Sequence, residues 1–135
     1  MPDKYVLDSS IIAAIFFKED KSSKVVNAIL DKELTTVDLS IAEVSNVAWK
    51  KVVIFEEKED IIHQALKKGL EFINTACEII NTNEIADRAF QIALKEKISF
   101  YDSLFITAAE KSNVPLLTLD KKLNKTRYLK SIKNY

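Results

Sequence analysis

Apolar residues fall along this chain in two alternating rhythms. Short apolar runs without helical spacing, as expected of buried strands, occur near Lys4–Leu7, Leu34–Val37, Ala76–Ile80 and Pro115–Leu119, with a shorter candidate near Tyr128–Ile132. Longer stretches between them have helical composition or spacing. They cover Ser10–Phe17, Ser22–Leu30, Ser40–Val53 with a stripe at Ile41, Val44, Ala48 and Val52, and Glu56–Ile73 with Ile62, Leu66, Leu70 and Ile73. Two more follow at Asn83–Lys97, with Ala86, Ala89, Phe90 and Ala93, and at about Tyr101–Lys111. Strands separated by helices need crossovers, which are right-handed, so the pattern predicts an α/β fold: a central parallel sheet flanked by helices on both faces. No repeat or linker interrupts the alternation, and 135 residues suit one domain, so residues 1–135 are read as a single unit.

Composition narrows the chemistry. Hydrophobic residues at 47% and charged residues at 30%, with one Gly and two Pro, exclude disordered and collagen-like chains. The sole glycine, Gly69, lies inside a helical pattern. A P-loop or dinucleotide-binding turn needs several glycines, so ATPase, GTPase and NAD-enzyme readings fail and any ligand must be held by side chains. The longest unbroken apolar run, Ile11–Phe17, is too short to span a bilayer and no small-residue cleavage site follows it, which predicts a cytoplasmic protein without a membrane partner. Cys77 has no second cysteine to pair with and sits among apolar neighbours, as expected of a buried thiol in a reducing compartment. His63, the only histidine, lies in an amphipathic helix, so zinc sites and Ser/His/Asp or Cys/His catalysis find little support.

The net charge of zero hides an uneven distribution. From Lys111 to Tyr135 there are seven basic residues against one acid, Asp120, so this segment carries +6 and the remainder −6. Such an end suits either a phosphate backbone or a solvated, lysine-protected surface.

Two aspartates, Asp8 and Asp120, stand where apolar runs stop. In an open parallel sheet, ligands bind beyond the C-terminal strand ends, so carboxylates from opposite ends of the chain can meet there. Asp8, followed by Ser9 and Ser10, equally suits a helix N-cap; Asp120 suits a turn, with Thr118 on the same side. Ser40-x-x-Glu43 and Ser99-x-x-Asp102 have the form of capping boxes, which would place each acid in a first helical turn. Helical spacing puts Glu43, Asn46 and Lys50 on one flank, as on a surface helix or in a polar cleft. Clustered carboxylates suit Mg²⁺ or Mn²⁺, which prefer oxygen donors. Two carboxylates about 4 Å apart repel by about 4 kcal/mol at an effective dielectric of about 20, so a cluster of them calls for a cation.

Taken in order, Tyr5-Val6-Leu7-Asp8-Ser9-Ser10, Ala42-Glu43-Val44-Ser45-Asn46, and the stretch from Ser99-Phe100-Tyr101-Asp102 through Leu117-Thr118-Leu119-Asp120-Lys121-Lys122-Leu123 resemble the PIN-domain family. The resemblance is greatest to the VapC-type toxin ribonucleases of toxin–antitoxin pairs. It implies a Rossmann-like three-layer fold and a metal-dependent endoribonuclease whose products carry a 5′-phosphate and a 3′-hydroxyl. It assigns the four acids, Asp8, Glu43, Asp102 and Asp120, as catalytic residues and ligands to Mg²⁺ or Mn²⁺, with Ser9, Asn46 and Thr118 in support. RNA is the implied substrate, with Lys121, Lys122, Lys125 and Arg127 as candidate backbone contacts. Toxins of this family commonly form homodimers and are silenced by a small antitoxin protein, which makes Ile15, Phe16 and Phe17 on the early helices a candidate partner face; core burial is the simpler account of the same residues.

Two other readings stay open. An Asp-nucleophile phosphohydrolase would also start from a strand-end Asp, but such enzymes usually place a second acid two residues later, where this chain has Ser10. A non-catalytic PIN-like RNA-binding module would not need the four acids.

Overall fold

The computed structural model describes residues 3–17, 20–121 and 123 and the backbone of 131–132. Five parallel strands form one sheet: β1 (Lys4–Leu7), β2 (Glu33–Val37), β3 (Cys77–Ile80), β4 (Leu116–Leu117) and β5 (Ser131–Ile132). Their order, β3-β2-β1-β4-β5, places the first strand at the centre and the later ones at its sides. Among the described residues six helices lie between them: α1 (Ser9–Phe16), α2 (Ser22–Ile29), α3 (Leu39–Val53), α4 (Glu59–Ala76), α5 (Thr82–Glu96) and α6 (Phe100–Ser112).

The two-residue period of the strands divides the core. Tyr5 and Leu7 of β1 and Leu117 of β4 enter a cluster with Ile11, Val44 and Ile73, on the side covered by α1–α4. Val6 and Leu116 face the opposite way, into a cluster with Ile92, Leu104 and Ile106 of α5 and α6. Strands apolar on both faces therefore generate three layers, as the sequence pattern predicts.

The boundaries depart from expectation for local reasons. Strand β4 is shorter than 115–119 because past Leu117 the backbone N–H groups of Leu119 and Asp120 turn to the hydroxyls of Ser10 (3.1 Å) and Thr118 (2.9 Å). Helix α4 starts after Glu56, whose φ of 55° is incompatible with a right-handed helix, and runs to Ala76, directly against β3. Of the possible strand at 128–132, residues 128–130 lie outside the described residues. The Ser40 capping box does not form: Ser40 is the second residue of α3, and its hydroxyl is buried without a hydrogen-bond partner among the described residues. Glu43 accordingly sits beyond the first turn. Ser99 does cap α6, accepting from the Asp102 N–H at 3.0 Å.

Ile15, Phe16 and Phe17 do not form an exposed partner face. Phe17 is buried and Ile15 and Phe16 pack against the core, with the Phe16 ring 5.3 Å from that of Phe72. The large exposed apolar residues gather instead at the end of α3, where Trp49, Val53, Ile54 and Phe55 are each more than half exposed. Cys77 is buried, and that burial pushes its thiol up to about 11, which makes it unreactive; His63 is exposed on α4. No helix among the described residues is long and apolar enough to cross a membrane.

Candidate active site

The site lies beyond the C-terminal ends of β1 and β4, which pair directly. Asp8 follows β1 in extended conformation and caps α1. Its Oδ1 accepts from the Ile11 N–H at 3.2 Å and the Ser10 hydroxyl at 2.5 Å, while Oδ2 accepts from the Thr118 hydroxyl. The cap reading of Asp8 therefore holds, and it does not exclude a role in the site.

Asp8 is 5% exposed, and burial dominates its ionisation. Loss of solvent raises its carboxyl from an ordinary 3.8 to about 6, although the bonds from Ser10, Thr118 and Ile11 pull the other way; the charge of Asp120 adds to the rise. A buried carboxylate at the mouth of a sheet, its charged form opposed by burial, is a candidate functional group.

A second pair lies on the neighbouring helices. The Ser9 hydroxyl donates to Glu43 Oε1 at 2.7 Å, which ties α1 to α3. Burial raises the Glu43 carboxyl, the Ser9 bond opposes the rise, and the charge of Asp102 reinforces it. Asp102 is brought there by the Ser99 cap at the start of α6. Charge thus couples Asp8 with Asp120 and Glu43 with Asp102, and the Ser9 bond to Glu43 starts from the residue next to Asp8. Among the described residues, no three Asp, Glu, His or Cys side chains form a ready-made metal-binding group, so the compact quartet expected from the sequence resolves into pairs.

Beside them opens a cleft of about 470 Å³, lined among others by Ser9, Ser10, Glu43, Asn46, Lys50 and Tyr101. The flank shared by Glu43, Asn46 and Lys50 is thus the polar part of a cleft wall that Leu39, Ala42 and Val47 complete. Lys121 is exposed next to Asp120, whereas Lys122, Lys125 and Arg127 lie outside the described residues.

Three residues gain a role the sequence did not reveal. Ser10 donates to Asp8 and accepts from the Leu119 N–H, locking β1 to the segment after β4; a second hydroxyl after a strand-end Asp was its only signal. Tyr101, beside Asp102, lines the cleft; its only signal was membership of the stretch that resembles the PIN-domain family. Asp38 is a third strand-exit aspartate, but its Oδ1 accepts from the Thr82 N–H at 3.1 Å and the Thr82 hydroxyl at 2.5 Å, so it fastens β2 to the start of α5. A strand-end position alone does not distinguish Asp38 from Asp8.

Comparison with known proteins agrees with this architecture. The profile described as PIN domain matches residues 5–128. The chain is 36% identical over 121 residues to a protein named Ribonuclease VapC3 from Pyrobaculum aerophilum, covering 89% of this chain and 92% of that one. It is 26% identical over 123 residues to one named Exonuclease VapC9 from the same organism, covering 91% and 85%. Among solved structures, a toxin–antitoxin complex from Klebsiella pneumoniae contains a chain that superposes with a TM-score of 0.72 at 16% identity, over 97% of this chain and 98% of that chain, a likeness of fold.

Proposed function

Because this chain belongs to the PIN-domain family, we propose that it is a VapC-type toxin ribonuclease that hydrolyses RNA phosphodiester bonds within the strand, using Asp8, Glu43, Asp102 and Asp120. The near-full-length likeness to a ribonuclease carries this reading. The site supports it through the buried Asp8 carboxylate, which three donors orient towards the strand end at a cost in folding energy.

The donor set fits Mg²⁺ or Mn²⁺. All four acids offer hard oxygens, and an ion that keeps several of its waters needs only one or two protein carboxylates, which the two pairs provide. When bound, such an ion supplies an acidified water and neutralises charge on the phosphate oxygens. The protein's part is positioning. Ser9 fixes Glu43, Ser10 and Thr118 fix Asp8, and Asn46 stands on the cleft wall one turn beyond Glu43. Lys121, Lys122, Lys125 and Arg127 hold the RNA backbone in this reading, and a homodimer silenced by an antitoxin protein is its physiological form.

Incubation of the purified chain with a panel of linear and circular single-stranded RNAs, in Mn²⁺ or in EDTA, tests the proposal. Expected is cleavage that leaves 5′-phosphate and 3′-hydroxyl ends and stops on chelation. One relative is named an exonuclease, so the circular substrate decides the mode: without free ends it is cut only from within. A protein that spared every RNA but released phosphate from a small monoester would be a phosphohydrolase instead; one that bound RNA and cut nothing would be a binding module.

A further inference from the structure

Tyr101 stands 60% exposed at the second position of α6, immediately before Asp102. A lone exposed aromatic needs no explanation. This one is placed at a helix start fixed by the Ser99 cap, and Phe100, itself packed against the second core, meets its ring edge-on at 6.3 Å and 70°. Lys50 lines the same cleft from α3, one turn beyond Asn46 and two beyond Glu43. It is the only basic residue among the described residues lining this cleft, and no described carboxylate lies within ion-pairing distance of it. The other polar groups on the wall are hydroxyls, an amide and the Glu43 carboxylate.

Acids that cut a polyanion also repel it, so the strand needs a cation close by to hold a phosphate next to the cut. An aromatic face adds attraction for any unpaired base, since every base has a π-face to stack. We infer that Tyr101 and Lys50 form a one-nucleotide binding step for unpaired RNA: a base stacks on the Tyr101 ring, its phosphate meets the Lys50 ammonium, and the adjoining backbone is led past Glu43 and Asp102. This rests on the ribonuclease reading and narrows it, because a base inside a duplex is already stacked and cannot use the step. The Lys50 ammonium beside an exposed aromatic ring favours a nucleotide, which brings both a phosphate and a base, over an apolar peptide as the occupant.

Fluorescence anisotropy with a labelled, unpaired oligoribonucleotide and the full chain in EDTA measures the step directly, and steady-state cleavage in Mn²⁺ provides a second readout. Tyr101→Ala should weaken binding roughly tenfold or more and raise KM with little change in kcat, whereas Tyr101→Phe, which keeps the ring, should stay within about twofold of wild type. Lys50→Gln should lower the slope of log affinity against log salt by about 0.7, one phosphate contact on a single strand. The same RNA annealed to its complement should be indifferent to Tyr101→Ala. Wild-type affinity and KM in Tyr101→Ala would overturn the inference while leaving the nuclease standing, and so would a Phe variant as weak as the Ala variant or an equal loss on duplex. A wild-type chain that neither bound nor cut RNA would overturn both.

Discussion

Thr118 donates its hydroxyl proton to the carboxylate of Asp8, across 110 residues of chain, and with its lone pair accepts the Asp120 N–H at 2.9 Å. One side chain therefore orients the buried acid and folds the segment carrying the second acid over it. Thr118→Val keeps the shape and removes both bonds. It should cost about 1–3 kcal/mol in urea unfolding and lower kcat more than it raises KM, while Thr118→Ser should recover most of each. Unchanged stability in the Val variant would show that neither bond matters.

The raised carboxyl of Asp8 gives stability a definite dependence on pH. Because folding raises its value from 3.8 to about 6, the folded state binds the proton more tightly; the resulting stabilisation is complete below about pH 4 and is lost as pH rises through about 6. That rise corresponds to roughly 3 kcal/mol. In EDTA, Asp8→Asn should match wild type near pH 4 and become the more stable protein by pH 7, although it cuts no RNA. A stability difference independent of pH, or full activity in Asp8→Asn, would contradict this.

Gly69 is buried within α4, where an added Cβ would lie 3.5 Å from the Phe16 ring, an ordinary contact. Gly69→Ala should therefore gain up to about 1 kcal/mol from helix propensity and raise Tm by a few degrees. Gly69→Leu should lower it, since a longer side chain must displace Phe16.

Lys97 ends α5 with φ 56° and ψ 45°, in the left-handed region, without the glycine that usually occupies such a position. Lys97→Gly should stabilise the chain by about 1 kcal/mol in thermal or urea unfolding. Asn113, in the same conformation at the end of α6, is a residue that tolerates it, so Asn113→Gly should gain less.

The layers were legible because strands apolar on both faces leave a distinct trace: Val6 and Leu7 are equally apolar yet serve opposite cores. Element ends were less legible. No propensity marks Glu56 for positive φ, and the early end of β4 depends on hydroxyls of Ser10 and Thr118 from opposite ends of the chain. Asp8 and Asp120 stood out as charges at strand exits, whereas Asp38, which meets the same criterion, was not singled out and is bound to Thr82. Glu43 and Asp102 were visible only as members of an ordered set. Their coupling comes from the tertiary positions of Glu43 on α3 and Asp102 on α6, which local spacing does not encode, and the exposed ring of Tyr101 had no period to betray it.

The central strand β1 and its neighbour β4 are separated in the chain by two other strands and six helices. All of these must be in place before Thr118 can reach Asp8, so a chain that stops short of β4 carries only an unfinished cutting edge. Fragments ending at residue 115 should accordingly leave RNA intact in the cleavage assay.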